Sequence, residues 1–180
     1  MRKFTRSAST AFVVAALAGG TAVATAGPAA AATYKCTSSS KSIDDPSYSG
    51  PWADNWDFTV KVCAKRSGST VYSYAKTSWD GPVYSSVDDT TKFEDAYFKV
   101  QIKKSQSGTD PVKKSANYGG IEAKLENSDS TGNYNGSYTT PTLSYKIGAG
   151  KGLGDGELHL NWKNDGHGDR NYQFSASPVV

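Results

Sequence analysis

Residues 56–65 read WDFTVKVCAK, and the alternation in that stretch decides the fold. Trp56, Phe58, Val60, Val62 and Ala64 share one parity, while Asp57, Thr59, Lys61 and Lys65 share the other. A period of two with one apolar and one polar side is the pattern of an antiparallel strand buried on one face. Cys63 falls on the polar parity. Residues 66–69, RSGS, then supply a glycine-containing turn into TVYSYAKTSW (70–79), a second alternating strand.

The same period recurs along the chain. FEDAYFKVQIKK sets Phe98, Val100 and Ile102 against Lys99, Gln101 and Lys103, and GIEAKLE sets Ile121, Ala123 and Leu125 against Glu122, Lys124 and Glu126. TLSYKI groups Leu143, Tyr145 and Ile147, ELHLNW groups Leu158, Leu160 and Trp162, and NYQFSA groups Tyr172, Phe174 and Ala176. With an N-terminal segment around TYKCTS as an eighth, these make seven to eight strands. The run Asp88 to Ala96 has room for one short helix. TSSSKSIDDPSYSGP and SQSGTDPVKKSANYGG read as long loops. Regularly spaced short strands with polar turns predict an all-β antiparallel sandwich, with a barrel as the alternative closure of the same strands.

The first 32 residues read as an address. Arg2, Lys3 and Arg6 form a basic start, AFVVAALA (11–18) is a short apolar core, and a small-residue run ends at Ala32. That is the layout of a secretory signal peptide. Gly19, Gly20 and Thr21 interrupt the apolar run before it reaches the roughly 20 residues of a spanning helix. The expectation is therefore a leader over residues 1–32, a single domain over 33–180, release to the extracellular space, and no membrane span. Of 20 Lys+Arg in the chain, three lie in that leader, which leaves 17 against 17 Asp+Glu and a net charge of zero. Nucleic-acid binding draws on a surplus of Lys and Arg to displace phosphate counterions, so it is not expected. In an oxidising compartment the two cysteines, Cys36 and Cys63, pair with each other, and the parity of Cys63 puts the bridge on the outside of the sheet.

IGAGKGLGDGELHL (147–160) resembles a phosphate-binding loop only superficially. The pattern G-x-x-x-x-G-K-[ST] fails, because Lys151 is followed by Gly152, and the segment runs into a strand rather than a helix. It reads as a hairpin loop with glycine at every second position. His159 reads as a surface histidine on a strand. His167, in NDGHGDR, lies between Asp165 and Asp169, which are weak candidates for a cation loop; an Asp-Gly turn accounts for the same residues. DSTGNYNG (129–136) is a similar weak candidate. No cofactor and no resident metal is expected.

Catalytic signatures are sparse. No G-x-S-x-G elbow occurs. Asp54, Asp57, Glu94 and Asp95 are the carboxylates available for opposed acid–base chemistry of the glycosidase kind. The aromatic content, 11 Tyr and 4 Trp, points elsewhere. Tyr72 and Tyr74 share a face, and Trp52 sits in the loop YSGPWADNW; flat rings beside polar groups are a common way to hold sugars or peptides. The function expected is a monomeric, non-catalytic binding protein for an extracellular ligand, a carbohydrate, cell-surface polymer or protein. The alternatives are a small secreted hydrolase and an inhibitor or toxin acting through an exposed loop.

Overall fold

The structure is a computed structural model that describes residues 32–46, 48–82, 91–128 and 135–180. Residues 1–31 of the expected leader lie outside these, as do residues 88–90 of the run read as a helix and residues 129–134 of DSTGNYNG. Among the described residues there are nine strands: β1 (Lys35–Ile43), β2 (Trp56–Ser67), β3 (Thr70–Asp80), β4 (Phe93–Lys104), β5 (Val112–Tyr118), β6 (Asn135–Thr139), β7 (Leu143–Lys146), β8 (Gly152–Trp162) and β9 (Arg170–Gln173). A 3₁₀ turn at Gly119–Ile121 leads into one short helix, α1 (Glu122–Glu126).

The strands form two antiparallel sheets and no closed barrel. One runs β1-β2-β3, with β6 and β7 sharing the far edge of β3; the other runs β5-β4-β8-β9. β6 and β7 are two halves of one interrupted strand, pairing with Lys76–Asp80 and Thr70–Ser73 respectively. Between them Thr140 bonds Ala75 twice, through its backbone N–H (2.9 Å) and as an Oγ1 acceptor (3.0 Å). Pro141, which has no N–H to give, then breaks the ladder.

The core lies between the sheets, and the alternation read in the sequence builds it. Trp56, Phe58, Val60 and Val62 of β2 face Phe98, Val100 and Ile102 of β4 and Leu158 and Leu160 of β8, all fully buried. Bulk is distributed unevenly along it. At one end Trp56, Phe58, Trp79, Phe93 and Trp162 form an aromatic cluster with centroids 4.7–6.4 Å apart. At the other end β8 presents Gly152, Gly154 and Gly156, and the facing sheet rests directly on its backbone. A Cβ on Gly154 would stand 2.1 Å from Ser73 Oγ, and one on Gly156 would stand 3.0 Å from Val62 Cγ2, both on the facing sheet.

Five sequence readings are corrected here. The glycine run is not a hairpin loop: β8 begins at Gly152, and only residues 147–151 connect, crossing from one sheet to the other. GIEAKLE is not a strand. Its alternation also places Ile121 and Leu125 four apart, and the chain buries those two while Ala123 is exposed. The helix docks on the start of β4, where Glu122 Oε2 accepts the Ala96 N–H (3.0 Å) and Glu126 Oε1 the Phe93 N–H (3.1 Å). It thus takes over from β5, whose pairing with β4 begins only at Phe98. Within the supposed loop SQSGTDPVKKSANYGG, Val112–Tyr118 is that edge strand. Residues 93–96 are strand rather than helix, and the first seven residues of the supposed loop TSSSKSIDDPSYSGP, Thr37–Ile43, belong to β1.

Cys36 and Cys63 are bonded, and they are also register partners on β1 and β2, with Cα atoms 4.1 Å apart. The bridge lies on the outer face, as the parity of Cys63 predicts, with Tyr74 next in the same row. It closes a loop of 28 residues, a constraint that stabilises the fold by about 3.6 kcal/mol in the chain-entropy picture.

Candidate functional site

The three aromatic candidates do not come together. Tyr72 and Tyr74 lie on the outer face of β3 near the 66–69 hairpin, half-buried. The Tyr74 ring meets Tyr34 edge-on at 4.9 Å, and Lys65 places its ammonium 4.7 Å from the Tyr34 centroid and 5.6 Å from that of Tyr72. The rings already hold one another and a cation of the same chain. Trp52 sits at the other end of the sheet, ahead of Trp56, which is seven residues or about 23 Å along β2 from Cys63. It is 71% exposed, and its backbone N–H donates to the Tyr48 hydroxyl at 3.4 Å. Tyr48 itself lies over Gly50, where any side chain would strike the ring.

The carboxylates are not opposed across a cleft. Asp57 is on the outer face of the first sheet and Asp95 on the outer face of the second, so the whole core lies between them. Glu94 and Asp95 are both exposed. Asp57 is instead the register partner of Asp80, and both project from the same face. Two acids on one side of a ligand do not straddle a glycosidic bond. Asp54 belongs to a separate group: burial first, then the charge of Asp44 and a hydrogen bond to it, hold its carboxyl above the ordinary value of 3.8. Asp45 beside it is buried and ion-paired with Lys92, which ties the 44–55 loop to the start of β4.

Asp165 is occupied by its own turn. Its Oδ1 accepts the His167 N–H (2.8 Å) and its Oδ2 accepts from Arg170 (3.1 Å), while Asn164 and Gly166 take positive φ. Asp169 is exposed. Among the described residues no group of three or more His, Cys, Asp or Glu side chains is arranged to hold a metal ion. The connection at 147–151 presents carbonyls rather than N–H groups: the Arg66 guanidinium takes those of Gly148 and Gly150. That arrangement serves a cation, and it is the reverse of a phosphate cradle.

His159 is on the outward face of β8, as its parity requires, but it is not a surface residue. It is 5% exposed, stacked on Tyr97 with centroids 4.2 Å apart, and its Nε2 stands 3.5 Å from Glu157 Oε2. Lys99 reaches the same carboxylate at 3.6 Å, and Lys103 pairs with Asp155 one step along the strand. Burial, followed by the charges of Asp169, Asp95 and Glu157, raises the Tyr97 phenol above its usual range. This outer face is a packed polar ladder.

Sequence reasoning missed the cleft between α1 and β6. It encloses about 410 Å³ and is lined by Trp79, Ala123, Lys124, Asn127, Ser128, Asn135, Gly136 and Ser137. The helix end fixes two of these: Asn127 Nδ2 donates to Ala123 O (2.7 Å) and Ser128 Oγ to Leu125 O (2.7 Å). Trp79 is 4% exposed, with only a margin of its ring at the cleft, and its indole N–H makes no hydrogen bond among the described residues. Gly136 is its register partner on β6, and a Cβ there would stand 2.4 Å from the ring. Glycine is thus what lets the indole lie beneath an edge strand. Among the described residues no Asp, Glu, His or Cys lines the cleft. No helix among the described residues is long and apolar enough to cross a membrane. No known protein family matches the chain, and neither does any characterised protein or solved structure.

Proposed function

We propose that the chain is a secreted, non-catalytic binding protein that holds a neutral carbohydrate segment in the cleft between α1 and β6. The observation that carries this reading is the chemistry of the lining. Two amides (Asn127, Asn135), two hydroxyls (Ser128, Ser137) and one ammonium (Lys124) surround the margin of an indole. Sugars present hydroxyls that both donate and accept, together with apolar C–H faces, and such a mixed wall is their counterpart. The volume of about 410 Å³ suits a small ligand segment. Among the described lining residues none is a carboxylate, histidine or thiol, so these residues supply hydrogen bonds rather than an acid–base pair or a nucleophile with its base. Export is supported by the leader layout and is compatible with the Cys36–Cys63 bridge.

The test is calorimetric titration with a panel of neutral oligosaccharides, alongside Asn135→Ala and Ser137→Trp. Loss of one amide contact should weaken binding about tenfold, the equivalent of one net hydrogen bond of about 1.4 kcal/mol. Filling the cleft with an indole should abolish binding. Equal affinity in both variants and the parent, or no binding by any sugar, rejects the reading.

A further inference from the structure

The zero net charge of residues 33–180 conceals a separation of charge between the two ends of the sandwich. At the end carrying the β2–β3 hairpin, residues 65–70, 102–114 and 144–152 come together, and they hold eight Lys or Arg and one acid, Asp110. Hydrogen bonds tie the three segments into one surface. The Ile147 N–H donates to Ser69 O (2.9 Å), the Ser105 N–H donates to Lys151 O (2.9 Å), and the Arg66 guanidinium holds the carbonyls of Gly148 and Gly150. The opposite end carries Asp44, Asp54, Asp57, Glu94 and Asp95, each exposed or half-buried.

Little at the basic end neutralises it. Asp110 Oδ1 accepts the Gln106 N–H (2.9 Å) within its own loop, and Asp155, the next acid along β8, is paired with Lys103. Arg66 is occupied by backbone carbonyls, and Lys65 lies over the Tyr34 and Tyr72 rings. There remain Lys104, Lys113, Lys114, Lys146 and Lys151, none of which forms an ion pair among the described residues. All but Lys104 are exposed. Lys104 is half-buried, its stem laid against the connection, where a Cβ on Gly150 would stand 3.0 Å from Lys104 Cε. Lys113 is the extra residue of the β5 bulge, between Val112, which pairs with Lys103, and Lys114, which pairs with Ile102. Lys114 Nζ donates to Ser144 O (3.0 Å) and so bridges β5 to β7. Five ammonium groups thus project from hydrogen-bonded backbone of both sheets, and their potentials sum over one surface.

We propose that this end docks a linear anionic polysaccharide, its carboxylate or sulfate groups set against the five lysines. The sheets of a sandwich pack about 10 Å apart, so a chain charged at every sugar or every second one meets several of these ammonium groups as it crosses the end. A lipid surface and a nucleic acid lack their counterparts here. The exposed valines of this end, Val112 and Val179, flank opposite edges of the second sheet about 14 Å apart with Lys103 between them, which gives no apolar patch to enter a bilayer. Trp52, the one exposed aromatic side chain among the described residues, is at the other end, so bases find no ring to stack on. The surface lies at the far end of β4 from α1, and the proposal does not depend on what the α1–β6 cleft binds.

Calorimetric titration with size-fractionated alginate and heparin tests it. The parent should bind both, with affinity falling at least about tenfold between about 50 and about 200 mM salt as counterions compete. Lys146→Glu with Lys151→Glu should weaken binding at least about tenfold, and Lys146→Gln with Lys151→Gln should weaken it in the same direction without reversing charge. Lys146→Arg with Lys151→Arg keeps the charge and should stay within about threefold of the parent. Lys61→Glu with Lys76→Glu makes the same change in net charge on the outer face of β2 and β3, and it should also stay within about threefold. Ser137→Trp, which fills the cleft, should leave polyanion binding unchanged. Thermal melts establish that each variant is folded. The proposal is overturned by a parent that binds neither polymer, by a Lys146→Glu, Lys151→Glu protein that binds like the parent, or by equal losses in the two glutamate pairs. Loss of binding in Ser137→Trp, or equally tight binding of duplex DNA or phosphatidylserine vesicles, overturns it as well.

Discussion

Gly154→Ala distinguishes a strand pressed against the opposite sheet from a loop, because the two assignments give effects of opposite sign. In a solvent-exposed loop with ordinary backbone angles, alanine restricts the unfolded chain and stabilises by about 0.4–1 kcal/mol. In β8 the new Cβ would stand 2.1 Å from Ser73 Oγ, 3.0 Å from Ser73 Cβ and 3.4 Å from Cys63 O. Rotating the serine hydroxyl away relieves the first contact only, since the Ser73 Cβ and a backbone carbonyl remain. Overpacking of this kind costs about 1–3 kcal/mol, which exceeds the entropic gain. A melting temperature lower by roughly 3–10 °C is expected for a chain of this size. Ser73 adds a second arm. Its buried hydroxyl has no hydrogen-bond partner, so Ser73→Ala alone should be neutral or mildly stabilising. It should also recover part of the Gly154→Ala loss, with a coupling of about 0.5 kcal/mol or more between contacting positions. Calorimetry on the four proteins of the cycle measures all of this. An unchanged or raised melting temperature in Gly154→Ala would refute the packing of β8 against β3.

Three other expectations follow from the geometry. Trp52→Ala removes an exposed ring and should change stability by less than about 0.5 kcal/mol, whereas Trp56→Ala opens the aromatic end of the core and should cost about 3–5 kcal/mol in the same denaturant titration. Ellman titration of the denatured, unreduced protein should find no free thiol, and replacing both cysteines with serine should cost about 3–4 kcal/mol, with amide exchange in β1 accelerating first. Asp54 has its folded pKa raised above 3.8, so between 3.8 and that raised value the native chain binds more protons than the unfolded one. Its contribution is then a loss of stability as pH rises through that window, and Asp54→Asn should flatten that part of the stability–pH curve; an unaltered slope would show that Asp44 does not act on it.

How much was legible from sequence varied with burial. Wherever a strand had one face in the core, as in β2, β4 and residues 158–162 of β8, alternation identified both the strand and its inward residues, and in β3 it identified the strand. Two edge strands, β5 and β6, left no such trace. VKKSANY carries mostly exposed side chains, and NGSYT alternates only between exposed and half-buried positions, so neither has an apolar period to read. The start of β8 was hidden for a different reason: its inward residues are glycines, whose packing partner is the facing side chain rather than their own. In residues 121–125 the spacing of two apolar residues satisfied both a strand and a helical turn, and the backbone N–H groups of β4 that Glu122 and Glu126 satisfy decided between them. The cleft escaped because it is assembled from polar residues of α1 and β6 around the margin of a tryptophan, Trp79, that packs into the core. His159 was placed on the right face, but its burial depends on Tyr97 from a neighbouring strand.

The chain's four tryptophans provide the most direct test of carbohydrate binding in the α1–β6 cleft, because each contributes one indole N–H signal to a two-dimensional ¹H–¹⁵N spectrum. Titration with neutral oligosaccharides should move the Trp79 signal saturably, at concentrations that match the calorimetric affinity. Trp56 and Trp162, sealed in the core, should hold still, and Trp52, which is not among the cleft's lining residues, should respond little. Saturable movement of Trp52 alone, or a Trp79 signal that stays fixed while sugar binds, would contradict the assignment of that cleft as the binding site.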